Sequence, residues 1–206
     1  MKILSFSDVV VSFIYSPLVK HSFKNVDLLI DCGDTPYAYL EFVLSMLNVP
    51  AFYVRGNHSM RSSPLGQYAE VQGATDLHGK IVKHDGLIFA GIEGSLKYSL
   101  GPYQYSQSEM WWQVFRLVPG LLINRIRCGR FVDILVTHAP PWGIHDEKDL
   151  PHQGIKAFRW FLHVFHPAYH FHGHIHTYRP DAEWETIFER TKVINTYPYR
   201  ETIISL

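Results

Sequence analysis

An α/β domain with mixed rather than purely parallel sheets is what this 206-residue sequence predicts, on three observations. Short apolar runs rich in branched residues recur along the chain, each ended by a polar residue or glycine, as buried strands are. Helical stretches separate those runs in the first third, the pattern of strand–helix–strand units. Two later runs are joined by His84-Asp85-Gly86, a tight turn of the kind that closes an antiparallel hairpin.

In chain order, Ile3–Phe6 and Val26–Ile30 are the first two strands. Thr35-Pro36 is a capping residue followed by proline at the first helical position, so a helix opens there and continues through Tyr37–Leu47. Ala51–Val54 is the next strand, and Lys80–Lys83 with Leu87–Ile92 form the hairpin. Ser106-Gln107-Ser108-Glu109 has capping-box spacing and starts a second helix, expected to end near Val118 because Pro119 follows. Phe131–Val136 is a strand, Ile155–Phe165 a third helix, and Tyr169–Phe171, Lys192–Ile194 and Thr202–Leu206 close the series. With no repeat, low-complexity tract or Gly/Ser linker, residues 1–206 read as a single domain.

Composition removes several function classes. Lys+Arg number 19 and Asp+Glu 19, so the chain lacks the basic excess of a nucleic-acid binder, and nucleic acid enters only as a substrate. Hydrophobic residues at 47% and aromatics at 15% exclude a disordered chain. Cys32 and Cys128 form no C-x-x-C pair and no disulfide framework, which points to a reducing, cytoplasmic setting. Asp8 arrives before any signal-length apolar segment, and no run approaches the ~18 residues of a membrane span, so no membrane partner is expected. Histidine is over-used, with 13 copies, of which six lie between His163 and His176.

The chemistry lies at the ends of the strands. Ser7-Asp8 comes after the first, Asp31-Cys32-Gly33-Asp34 after the second and Arg55-Gly56-Asn57-His58 after the third; Thr137-His138 succeeds Phe131–Val136, and His172-Gly173-His174-Ile175-His176 succeeds Tyr169–Phe171. Ligand sites of open α/β sheets form at the carboxyl ends of strands, where loops converge. The donors supplied there are the nitrogens and oxygens that Mn, Fe and Zn accept. The i, i+2 spacing of His174 and His176 points both rings to one side of an extended segment. Gly33, Gly56 and Gly173 would let backbone approach a metal or phosphate.

That ordered set resembles the calcineurin-like metallophosphoesterase superfamily, whose signature runs D-x-H, G-D, G-N-H-D/E, a strand-end histidine and G-H-x-H. The resemblance spans residue 3 to about 206. It implies a four-layer sandwich of two mixed β-sheets flanked by helices, with two divalent metals at one edge. It further implies that Asp8, Asp34 and His176 hold one metal and that Asp34, Asn57, His138 and His174 hold the second, with Asp34 bridging. His58 would contact the phosphate of a small-molecule phosphodiester or phosphomonoester, stabilising the transition state or protonating the leaving oxygen. A metal-activated hydroxide would be the nucleophile.

Two positions depart from the pattern. Val10 stands where the superfamily has histidine, and valine has no lone pair to offer; the first metal site is thereby weakened, with Tyr15 and His21 as nearby candidates to replace the ligand. Ser59 stands where an acidic residue is usual. A bacterial branch of the superfamily is similar in its opening and in a Cys-Gly-Asp followed by an aromatic helix, as in Asp31–Leu47. The competing implication is a non-catalytic protein-binding scaffold with a degraded metal site, as a retromer subunit uses this fold. Among the remaining residues, His170 and His172 suit core or strand-face positions, and His152 the pocket rim. Tyr103 and Tyr105 are the better pocket aromatics, whereas Trp111, Trp112 and Phe115 suit helix packing. Arg55, Arg61 and Arg179 could fork onto phosphate oxygens, with solvated surface as the alternative.

Overall fold

The protein is described by a computed structural model covering residues 1–59, 70–177 and 182–205. Two mixed sheets form its centre. The first orders β13(Tyr199–Ile203), β1(Lys2–Phe6), β2(Leu28–Asp31), β3(Ala51–Tyr53) and β4(Thr75–Asp76), parallel except for β13. The second orders β11(Glu185–Phe188), β12(Thr191–Asn195), β10(Tyr169–His172), β9(Ile134–Thr137), β6(Leu87–Ile92) and β5(Ile81–His84); its two edges are antiparallel and its centre parallel. A short pair, β7(Ser95–Leu96) and β8(Gln104–Tyr105), stands apart.

Three apolar layers bind these parts, giving the four-layer sandwich. Ile3, Leu28, Ile30 and Phe52 of one sheet meet Phe89, Ile134, Val136, Phe171 and Ile194 of the other. The outer side of the five-stranded sheet buries Leu4, Phe6 and Leu29 against Val19 of α1(Val19–Ser22) and Tyr39, Leu40 and Val43 of α2(Tyr37–Leu47). The outer side of the six-stranded sheet buries Ile88, Ala90 and Leu135 against α3(Gln107–Cys128) and α4(Lys156–Phe165). Residues that alternate along a strand therefore serve two different layers, as the pleat dictates: Ile3 faces the centre and Leu4 the helices.

The hairpin turn is as its residues demand, with Asp85 at φ 46° and Gly86 at φ 78°, the doubly left-handed form that matches strand twist. Other expectations need correction. Proline does not stop the second helix at Val118: α3 runs through Pro119 to Cys128 and ends at left-handed Gly129. Pro119 is exposed, so the carbonyl it leaves without a donor falls on the solvent side, while Val114, Leu117, Leu121 and Asn124 keep the inner side packed. Thr35 does not cap α2; Pro36 holds that position without a side-chain bond, and the Thr35 hydroxyl donates to the Asp31 carboxylate instead. The last strand lies at Tyr199–Ile203 rather than Thr202–Leu206, because Lys2 to Phe6 of β1 pair with Ile203 to Tyr199; Leu206 lies outside the described residues. α1, β4, β7, β8 and β11 are additions, short or lacking an apolar run. Among the described residues, no helix is long and apolar enough to cross a membrane.

Candidate metal centre and active site

Loops after β1, β2, β3, β9 and β10 converge at one edge of the sandwich and are stitched to one another through backbone. Asp8 N–H donates to the Gly33 carbonyl at 3.0 Å, Gly173 N–H to the His138 carbonyl at 2.9 Å, and His174 N–H to Asp8 Oδ2 at 2.9 Å. The three motif glycines are explained by this crowding. A Cβ at Gly56 would stand 2.2 Å from Asp34 Oδ1 and 2.6 Å from His138 Cε1, and one at Gly173 2.5 Å from Ser7 Cβ. These glycines let the loops close on each other, a different use from the expected approach of backbone to ligand. Asp8 (φ 67°), Asp34 (φ 62°) and His174 (φ 69°) adopt left-handed backbone, a cost of order 1–3 kcal/mol each that the surrounding bonds must impose.

Four donor atoms meet at His138. Its Nδ1–H donates to the Cys32 carbonyl at 2.8 Å, so Nε2 faces inward and offers a lone pair once the ring is neutral. His174 is fixed the opposite way round: Nε2–H donates to the Pro151 carbonyl at 2.8 Å and Nδ1 faces inward. The two inward nitrogens stand 3.1 Å apart, with Asn57 Oδ1 at 3.0 Å and Asp34 Oδ2 at 3.2 Å from His138 Nε2. Lone pairs at such distances repel, and one proton on His138 could satisfy only one of three acceptors. Ligand atoms about 2.1 Å from a common metal lie about 3–3.4 Å from each other, so this donor set fits a divalent cation of the Mn, Fe or Zn type. The carbonyls on the far nitrogens are the outer contacts that fix tautomer in metal-binding histidines.

Electrostatics run the same way. Burial alone would depress His138, but the Asp34 carboxylate beside it carries the ring up to about 9 in the absence of metal. Burial also opposes ionisation of Asp34, yet His138 and the His58 N–H, 2.7 Å from Oδ1, hold its carboxyl below the usual range. His174 is pushed down, first by burial and then by His138. The Asp31 carboxyl behind them is carried up to about 7 by complete burial, against the Thr35 and Gly33 bonds that favour its ionised form.

The Asp8 half of the site is more open. His176 Nε2 stands 3.6 Å from Asp8 Oδ1, and its ring stacks on Tyr197 at 4.6 Å. Asp8 holds His176 above its ordinary value. Val10 is 41% exposed. Neither candidate replacement is drawn in: Tyr15 packs edge-on against Tyr39 and Phe42, and His21 is exposed on the last turn of α1.

A cavity of about 200 Å³ opens over these groups, lined by Asp8, Asp34, His58, Tyr98, Pro151, His152, His174 and His176. His152 takes the rim as expected; its Nδ1 is 2.7 Å from Asp149 Oδ2. Tyr98 is the residue that sequence reasoning passed over. Its hydroxyl accepts from Asn57 Nδ2 at 2.9 Å, turning Asn57 Oδ1 toward His138, and stands 3.4 Å from His58 Nε2. Tyr103 and Tyr105 are not pocket residues: Tyr103 is buried, and the Tyr105 hydroxyl donates to Glu93 at 2.7 Å. Arg55 is neither solvated nor in the cavity; it is buried between Asp76 (2.7 Å) and Glu93 (3.0 Å). Arg61 and Arg179 lie outside the described residues. His170 and His172 are fully buried on β10. Trp111 and Phe115 pack on Trp160 between α3 and α4, Phe115 remaining half-exposed, but Trp112 faces solvent.

The sequence profile described as calcineurin-like phosphoesterase matches residues 1–178. No curated protein matches the chain. One solved structure superposes with a TM-score of 0.64 at 15% identity, covering 95% of this chain and 90% of the other. TT1561 of Thermus thermophilus superposes at 0.63, also at 15% identity, with 95% and 88% covered. Vacuolar Protein Sorting 29 from Cryptosporidium parvum superposes at 0.44 and 11% identity, with 95% and 72% covered.

Proposed function

The chain belongs to the calcineurin-like phosphoesterase family, and from that premise we propose that it is a metal-dependent hydrolase of small phosphodiesters or phosphomonoesters. The convergence of His138 Nε2, His174 Nδ1, Asn57 Oδ1 and Asp34 Oδ2, two of them locked by carbonyls, carries this reading. These four residues would hold one divalent cation, and Asp8, Asp34 and His176 a second, weaker one that lacks a ligand at Val10. When bound, such ions supply positive charge to phosphoryl oxygens and acidify a water.

The chain's own residues do the rest. The cavity floor is rigid because His138 is fully buried and its neighbours are backbone-stitched, so the ligating atoms need no reorganisation. His58 stands on the cavity wall, its backbone N–H on Asp34, within reach of a phosphate held over Asp8 and Asp34. It gives a proton to the leaving oxygen, a role worth about 10²–10⁴ in rate. Tyr98 holds the Asn57 amide and the His58 ring in one orientation.

The test is hydrolysis of an aryl phosphate and a bis-aryl phosphodiester by purified protein with added Mn²⁺, alongside elemental analysis. Turnover that His58→Ala lowers by about 10²–10⁴, with metal retained, supports the proposal. Absence of turnover with Mn²⁺, Fe²⁺ and Zn²⁺ across a broad phosphoester panel overturns it; if stoichiometric metal is absent as well, the scaffold reading, which Val10 favours, takes its place.

A further inference from the structure

α3 is apolar on both sides, yet only one side is covered. Met110, Val114, Leu117 and Leu121 face the six-stranded sheet. On the opposite side Trp112 (66% exposed), Phe115, Pro119, Leu122, Ile123 and Ile126 (84% exposed) are open to solvent. At 3.6 residues per turn these six fall within about 100° of arc, a stripe of the width that a helix ordinarily buries. Such patches on a folded surface mark an interaction site.

The stripe has a symmetry of its own. Trp112 and Ile126 lie seven residues either side of Pro119 and Phe115 and Ile123 four either side, while Leu122 alone mirrors a polar residue, Arg116. Pro119 also falls near the middle of the arc. We propose that a second copy of this chain covers the stripe, with the two α3 helices antiparallel about a two-fold axis at Pro119. Trp112 of one copy then meets Ile126 of the other, and Phe115 meets Ile123, so each bulky aromatic packs on a branched aliphatic. The charges agree with this pairing: Glu109, ten residues before Pro119, falls opposite position 129 of the second copy, beside the exposed Arg127 on the last turn of α3. A parallel pairing would set Arg127 against Arg127. Such an interface is isologous, the commonest kind in closed dimers. α3 is about 33 Å long at 1.5 Å per residue, and the patch extends beside Phe115 into a groove of about 530 Å³ lined by Trp111, Trp142, Trp160 and Phe188. That width matters, because a stable interface needs about 800 Å² from each partner.

Light scattering of the full chain at several concentrations tests the proposal and is expected to give a dimer mass. Trp112→Glu and Ile126→Glu each weaken dimerisation tenfold or more without changing phosphoesterase turnover, since neither residue touches the cavity. On a Cys128→Ser background, Pro119→Cys cross-links to itself under mild oxidation. Trp112→Cys cross-links when mixed with Ile126→Cys, and neither does so alone. A monomer mass, a dimer indifferent to Ile126→Glu, or self-cross-linking of Trp112→Cys overturns the proposal. So does a monomer that sediments with phosphatidylglycerol vesicles, which would assign the stripe to a lipid surface.

Discussion

Four histidines spaced two residues apart, 170, 172, 174 and 176, run along β10 and the loop beyond it, and the structure divides them into two kinds. His170 and His172 are completely buried where no carboxylate faces them, and burial drives His170 down to about 3 and His172 well below its ordinary value. Their tautomers are fixed for a neutral role. The Thr137 hydroxyl gives its proton to the Ala139 carbonyl at 2.7 Å and so accepts from His170 Nε2 at 2.8 Å. His172 gives Nδ1–H to the Gly173 carbonyl and accepts from His145, which accepts from Thr186. His174 and His176, one and two steps further on, meet Asp8 and the Asp34–His138 pair. What marks His174 and His176 as candidate ligands is that they meet Asp8 and the Asp34–His138 pair at one point; a carboxylate alone is not enough, since His163 and His166 pair with Glu189 at the surface.

Substitutions along this series should separate the two kinds. The largest effect is expected from His138→Ala or His174→Ala, which should abolish tight Mn²⁺ binding in calorimetry along with turnover; retention of a tight equivalent by either would break the division. His58→Ala should lower kcat by about 10²–10⁴ and leave the calorimetric isotherm unchanged. His176→Ala should lose only the weaker metal equivalent, so a titration that ends with no tight ion would place His176 with the other ligands. Tyr98→Phe keeps the ring but not the hydroxyl, and should cost about 10–100-fold in metal affinity or turnover, as loss of an outer contact does.

The pH dependence of stability is the gentlest discriminator. His170, at about 3, and His172, well below its ordinary 6.5, both hold fewer protons folded than unfolded below pH 6.5. Stability should therefore fall as pH drops below 6.5, by up to about 1.4 kcal/mol per pH unit for each ring. His138 has the opposite sign in metal-free protein: raised to about 9, it contributes stability below pH 6.5 that is lost as pH rises toward 9. Urea midpoints of metal-free His170→Phe should flatten on the acid side only. A change confined to the alkaline side would contradict the assignment.

The sequence was most legible where long apolar runs meet polar ends. Ile3–Phe6 and Leu87–Ile92 announce buried strands, and the donors at the strand ends come in an order that the converging loops explain. It was least legible where tertiary context decides. Pro119 should end a helix by local rules, but buried neighbours on both sides carry α3 past it. Thr35 looks like a cap until Asp31, buried beside it, takes the hydroxyl. β7 and β8 are two residues each, and no period can be read from two residues. Tyr98 sits among six aromatics with nothing local to distinguish it; its role comes from Asn57 and His58, some forty residues earlier. Arg55 follows a strand as a phosphate ligand might, and only Asp76 and Glu93 reveal it as a buried ion pair.

The bond from His174 N–H to Asp8 spans 166 positions of sequence, and β1 is the strand on which both β2 and β13 close. Asp8 is therefore completed by a partner from the far end of the sequence, whereas Asp34 meets His58 and His138 much earlier. Contacts of such separation form slowly because the intervening chain must be ordered first. A chain truncated before residue 174 would keep most of its apolar strands but lack both His174 and His176, so the proposed cation sites would be completed only by the last third of the sequence.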